Sequence, residues 1–332
     1  MSSGNIVVLS NEGTRKWLKN LEPESYCGTQ RPRVLVLLST YNGEKYLPEL
    51  LNSVFAQEGV DVRVLARDDG SCDSTTDLLR QYRVDGLPID YYVGQNVGPV
   101  SSFNDLISHE GCDGFDFYAF CDQDDVWLPD KLRRAIVLLK ECGTTDIPCL
   151  YCSNLDVVDA ELAHLRYMHS PRFKPAHESL VVHNCAGGCT EVFNAKAREL
   201  YVQGKDSAIE MHDYWMALVC AYMGVLVYDP ESRILYRQHT SNVVGSRKNG
   251  ITKAVSHLVA GNRRIRSSML RDFLAVYESG LTVGDVRVLR AIPDAEESLL
   301  LRMRLLLSPK YVGHEVRVTV GFKLRVLLNR IY

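Results

Sequence analysis

No apolar run in this chain of 332 residues approaches the roughly 18 residues that a membrane-spanning helix needs. The opening MSSGNIVVLSNEG lacks the basic start and long apolar core of a secretory signal. A basic excess is missing too: the net charge is −3, which weighs against a nucleic-acid binder, since such proteins carry a basic stripe. No G-x-G-x-x-G follows the first strand-like segment, and no G-x-x-x-x-G-K-[ST] occurs anywhere. A glycine-rich phosphate loop is thereby excluded, and any phosphate must be held by other means. Without a signal, ten cysteines predict reduced thiols in a cytoplasm and not a disulfide framework. Cys149 and Cys152 form a C-x-x-C inside a strand-like segment, where residues three apart face opposite sides. They read as core, not as a chelate.

What is present is a globular composition, 46% apolar and 24% charged, enough for one large domain with an appendage. The charge is unevenly placed. Residues 251–332 hold 14 Lys and Arg against 7 Asp and Glu, so the tail is +7 and the remainder −10. An acidic body with a basic tail points to a partner for the tail. Three regions are expected: an N-terminal extension (1–30), a main domain (31–250) and a basic, mainly helical C-terminal region (251–332).

From Arg33 the chain repeats one unit. RVLVLLS reads as a buried parallel strand, then comes Thr40-Tyr41-Asn42-Gly43 and a helix in which Leu47, Leu50, Leu51, Val54 and Phe55 share a face. A second strand (60–66) runs into Arg67-Asp68-Asp69-Gly70-Ser71, and a third (89–93) into Gln95-Asn96-Val97-Gly98. Each is followed by a helix. A fourth (115–121) ends in Asp122-Gln123-Asp124-Asp125. Strand, polar loop and helix, four times over, predict a doubly wound, mostly parallel α/β sheet. Ligands of such sheets bind outside the carboxyl ends of the strands. That crevice would gather Thr40, Asp68, Asp69, Asn96 and the 122–125 carboxylates. Three carboxylates within four residues repel one another, and a hard divalent cation shared with substrate phosphates is the natural counter-charge.

Further along lie a strand near 148–153, the small-residue loop Asn184-Cys185-Ala186-Gly187-Gly188-Cys189-Thr190, and Met211-His212-Asp213-Tyr214-Trp215 opening a helix. Strands at 225–228 and 233–237 follow, ending in Gln238-His239-Thr240-Ser241-Asn242. Helices are expected at 258–277 and 295–307, and the closing VRVTVGFKLRVLLNRIY fits either helix or strand.

By this point the chain resembles the family 2 glycosyltransferases of GT-A fold. The resemblance rests on STYNG at 39–43, RDDGSCDST at 67–75, D-x-D-D at 122–125, GGCT at 187–190 and Asp213, in the family's order. QNVGP, DQDDVW, HDYW and YRQHTSNVVG look most like bacterial rhamnosyltransferase-type members that build surface polysaccharides. One departure is His212-Asp213 where many relatives have Glu-Asp.

The resemblance implies inverting transfer of a sugar from a nucleoside diphosphate to a hydroxyl of a glycan or lipid-linked acceptor. It implies Mn²⁺ or Mg²⁺ on Asp122 and Asp124, with His239 as a third ligand. Asp69 and Thr40 would read a pyrimidine base, with Tyr41, Asp68, Asn96, Asp122 and Gln123 also on the donor side. Asp213 would be the general base, and Gly187, Gly188 and Trp215 would border the acceptor. The donor it suggests is dTDP-L-rhamnose, with a UDP-hexose as the alternative. A sugar-nucleotide pyrophosphorylase would show a glycine-rich loop after the first strand, which STYNGEKY is not. A catalytically dead scaffold would show a lost acidic residue, and none is lost. For the basic tail, docking on the anionic inner face of the cell membrane and an ordinary helical appendage or homodimer contact stand as alternatives.

Overall fold

The computed structural model describes residues 6–10, 31–142, 146–170, 173–239, 265–313 and 316–329. The expected repeat is there. Strand β1 (Val7–Ser10) is followed by β2 (Arg33–Thr40), α1 (Leu47–Phe55), β3 (Asp61–Asp68), α2 (Thr75–Val84), β4 (Ile89–Val93), α3 (Gly98–Ser108) and β5 (Phe117–Asp122). Then come a two-residue strand β6 (Val126–Trp127), α4 (Lys131–Glu141), β7 (Cys149–Ser153), β8 (Asp156–Val158), β9 (His164–Tyr167) and a short α5 (His177–Leu180). The domain continues with β10 (Val192–Asn194), α6 (Ala195–Gln203), α7 (His212–Met223), β11 (Val225–Asp229) and β12 (Ile234–Arg237).

Eight strands form one sheet in the order β1-β11-β7-β10-β5-β2-β3-β4. The pairs β5/β2, β2/β3 and β3/β4 are parallel, as is β11/β7, while β10 runs antiparallel between β5 and β7. A smaller sheet, β6-β12-β8-β9, stands beside the acidic turn. Alternate side chains of each strand feed two cores, because successive residues point to opposite faces. Leu35, Leu37, Tyr118 and Phe120 pack with α3 and α7 on one side; Val34, Val36, Ala119 and Cys121 pack with α1 and α4 on the other. Cys149 and Cys152 fall in opposite cores, as strand geometry requires, and the nine cysteines among the described residues are unbridged.

Two features depart from the sequence reading. Val7–Ser10, expected in an extension, pairs antiparallel with Val225–Tyr228 and edges the main sheet. The helix expected at 295–307 is two helices, α9 (Val283–Glu297) and α10 (Leu299–Leu307). Ser298 is extended there, and its side chain caps α10 by accepting the Leu301 N–H, a favoured role for serine. Helix α8 (Ile265–Tyr277) precedes them, and the closing segment is helical as α11 (Val316–Leu327). Met269, Phe273, Ile292, Leu305 and Phe322 join the same core as Trp215 and Tyr222, which seats these helices on α7.

Candidate active site

The register of the sheet puts the polar strand ends level: Thr40 pairs with Asp68, and Ser39 with Asp122. On the β3 side the carboxylates are fully engaged. Asp68 accepts the Thr40 hydroxyl at 3.0 Å, the Gly70 and Ser71 N–H groups at 3.1 and 2.8 Å, and the Ser71 hydroxyl at 2.6 Å. Asp69 is ion-paired with the buried Arg67 and accepts the Val97 and Gly98 N–H groups at the start of α3. Thr40 and Asp69 are both buried. The pair expected to read a base is therefore turned inward. On this wall Tyr41 (46% exposed) and Asn96 remain accessible.

Gln123, also expected on the donor side, is engaged within the fold. Its amide closes two bonds with the Tyr41 backbone, accepting the N–H at 2.8 Å and donating to the carbonyl at 2.9 Å. It holds the loop after β2 against the acidic turn.

The acidic turn is under-compensated. Burial, then the charges of Asp124 and Asp213, push Asp122 up to about 7, with Lys131 acting in the opposite direction. Asp124 Oδ2 meets His239 Nε2 at 2.7 Å. Asp125 is fully buried; its Oδ1 accepts the Arg237 N–H, while Oδ2 is without a well-formed hydrogen bond and lies near the Cys189 thiol. Burial first, then Asp124 and Asp122, hold Asp125 well above the usual carboxylate range. Asp122, Asp125 and Cys189 place ligand atoms within 4.8 Å of one another. The expected set was Asp122, Asp124 and His239; the structure pairs the last two and brings Asp125 and Cys189 to Asp122. An orphaned buried carboxylate oxygen beside a crowded pair fits a divalent cation, because buried charge needs a partner.

Two cations that the sequence reading missed underpin this turn. Lys131, at the start of α4, is buried with Nζ 3.2 Å from the Trp127 ring centroid and without a hydrogen-bond partner. Burial pushes it down to about 8, partly offset by Cys121, Cys189, Asp125 and Asp122. Arg237 sends its Nε to the Asp124 carbonyl at 2.9 Å and stacks over Tyr46. A basic residue opening a helix reads as surface, so Lys131 carried no signal except its place just after the acidic run.

Across the crevice, Asp213 opens α7. Burial pushes it up to about 6, against the Tyr214 and Gly188 N–H groups that it accepts at 2.6 and 3.1 Å. Gly188 thus lies against Asp213, and a Cβ there would stand 2.8 Å from His212 Nε2. Gly187, by contrast, would meet only Leu155 at an ordinary 3.4 Å. His212 is stacked on Phe103, and burial lowers it to about 3, so it packs as a neutral ring. Trp215, expected near the acceptor, is 0% exposed and packs against Phe273 and Tyr277. The His239 segment from Thr240 to Gly245 lies outside the described residues.

A parallel sheet with an acidic turn at one strand end and a poised carboxylate opposite defines a GT-A glycosyltransferase. Residues 35–199 match the family model described as Glycosyl transferase family 2, so this stretch is a glycosyltransferase domain of that family. It is 27% identical over 224 residues to the dTDP-rhamnosyl transferase RfbG of Shigella flexneri, covering 63% of this chain and 74% of that protein. Among solved structures, it shares its fold with the mannosyltransferase PcManGT of Pyrobaculum calidifontis in complex with GDP-Man and Mn²⁺. That match has 16% identity and a TM-score of 0.51, with 96% of this chain and 93% of that one covered. GalNAc-T7, solved with UDP, GalNAc and Mn²⁺, matches at 10% identity and TM-score 0.54, over 82% and 53% of the two chains.

Proposed function

We propose that this glycosyltransferase moves L-rhamnose from dTDP-L-rhamnose to a hydroxyl of a growing cell-surface polysaccharide or glycolipid, with inversion. The observation that carries the mechanism is the charge imbalance at residues 122–125 facing Asp213. Asp122 and Asp124 would hold a divalent cation, Mn²⁺ or Mg²⁺, with His239 behind Asp124 and Asp125 beneath. Such a cation supplies Lewis-acid charge to the departing diphosphate.

The chain's own residues do the rest. Asp213, with a carboxyl near the working pH, takes the proton of the acceptor hydroxyl as that oxygen bonds the anomeric carbon and the bond to the phosphate oxygen breaks. Gly188 and Tyr214 fix its orientation through their N–H groups. Tyr41, held against Gln123 of the acidic turn, and Asn96, beside Gly70, are accessible and would meet the nucleoside. An oxocarbenium-like centre between the diphosphate and Asp213 suits this layout.

The rhamnosyl assignment is supported by the likeness to the dTDP-rhamnosyl transferase RfbG; a UDP-hexose is the competing donor. Incubating purified protein with each nucleotide sugar, with Mn²⁺ or with a chelator, tests it. Cation-dependent consumption of dTDP-L-rhamnose is expected. Turnover of a UDP-hexose with none of dTDP-L-rhamnose overturns the donor.

A further inference from the structure

We infer that α10 and α11 form a docking surface that lies on an anionic phospholipid bilayer, presenting an apolar arc rimmed by basic side chains. Each helix already buries one apolar face: Leu305 of α10, and Phe322 and Val326 of α11, belong to the core. Each then carries a second apolar face outward. At about 100° per residue, Leu299, Met303 and Leu307 share an arc of roughly 80° on α10, and Val316, Val320, Leu324 and Leu327 share a similar arc on α11. All seven are exposed, Leu307 by 75% and Val316 by 81%. Isolated exposed leucines need no explanation, but two ordered stripes do.

The charge around these stripes selects the occupant. Neither helix contains an Asp or Glu, and residues 299–332 hold seven Lys or Arg against one Glu. At the same 100° per residue, Arg304 stands about 60° past the α10 arc, while on α11 Arg317 and Lys323 flank the arc about 20° beyond its two edges and Arg325 lies about 100° beyond on the Arg317 side. Lys323 also donates to the Leu305 and Ser308 carbonyls at 2.8 Å, tying the end of α10 to α11. A second copy docked on these faces would bring two surfaces of the same positive charge together, which like-charge juxtaposition disfavours. A bilayer of anionic lipid offers hydrocarbon for the arc and negative headgroups for the rim. Among the described residues no helix is long and apolar enough to cross a membrane, so the pair would lie in the interface. This surface stands on the C-terminal helices alone and does not depend on the donor or the base.

Sedimentation of the full-length protein with vesicles tests it, using phosphatidylcholine alone or mixed with phosphatidylglycerol. Binding is expected to the mixed vesicles and to be about tenfold or more weaker to the neutral ones. A double variant, Leu307→Glu with Leu324→Glu, and a triple variant, Arg304→Gln, Arg317→Gln and Arg325→Gln, should each lose most of that binding. Turnover with a water-soluble nucleotide sugar should stay unchanged in both, which also reports intact folding. No binding by the natural chain, or full binding by the double variant, overturns the proposal. So does a natural chain that is dimeric without vesicles and becomes monomeric on Leu307→Glu with Leu324→Glu.

Discussion

At the end of β3, Asp68 and Asp69 are met on every side by hydroxyls, backbone N–H groups and the Arg67 guanidinium. At the end of β5, one strand beyond β2, Asp122, Asp124 and Asp125 share His239, one Arg237 N–H and a lysine that bonds none of them. The two clusters are alike as strings of letters and opposite as electrostatics. A balanced carboxylate holds the fold; an unbalanced one is left for a ligand. Asp213 belongs with the second kind, since burial raises it and only backbone N–H groups, with no cation, offset that.

The sharpest test lies on the unbalanced side. Asp213→Asn keeps size and removes proton affinity, so turnover should fall by about 10²–10⁴-fold while nucleotide affinity holds. In the natural enzyme, turnover should rise with pH through about 6 and level off above it, since the base works only when ionised. Near-normal turnover by Asp213→Asn would place the base elsewhere. Next, Asp124→Ala should weaken Mn²⁺-dependent binding of a nucleoside diphosphate by at least about tenfold, or roughly 1.4 kcal/mol. Calorimetry with and without chelator reads it, and unchanged affinity would remove Asp124 from the cation site.

On the balanced side the prediction inverts. Asp69→Asn strips the buried Arg67 of its buried partner and leaves it the half-exposed Asp105, which costs up to about 3 kcal/mol of stability. A lower Tm is expected, with Mn²⁺-dependent nucleotide affinity near normal in the folded fraction. Loss of affinity without loss of Tm would mean that Asp69 reads the base after all.

The smallest effect concerns pH and the cation-free protein. Asp122 and Asp213 have folded values raised from 3.8 to about 7 and about 6. The folded state therefore binds more protons than the unfolded one between those limits. Their contribution to stability is fully present below about pH 4 and is lost as pH rises through about 6 to 7. Tm without cation should fall by a few degrees over that window, and Mn²⁺ should reduce the fall. A flat profile would show that the acidic turn is compensated already.

Much of this was legible in the chain because periodicity reports burial directly. RVLVLLS and FYAFCD announce strands buried on both faces, and the loops at their ends fall where α/β sheets bind ligands. What stayed hidden was pairing across the fold. The string Arg67-Asp68-Asp69 does not say that the arginine turns back on Asp69. Nothing in Gln123 says that its amide clamps Tyr41, 82 residues earlier. Trp215 and Lys131 misled in opposite senses, an aromatic by the site that is wholly interior and a surface-type residue buried beneath it. Four residues at Val7–Ser10 are too few for periodicity to mark as part of the sheet.

That short strand has a consequence in time. Val7 pairs with Tyr228, so the strand emerges from a ribosome some 220 residues before its partner, about 10–40 s at the usual pace of synthesis. The block β2 to β5 can assemble during that wait, since its contacts are local, while the half of the sheet built on β11 cannot. β11 sits between β1 and β7, so one late event closes both. The first strand to be made is among the last to find its place, and until then the nascent sheet keeps an open flank that a chaperone or a neighbouring chain can reach.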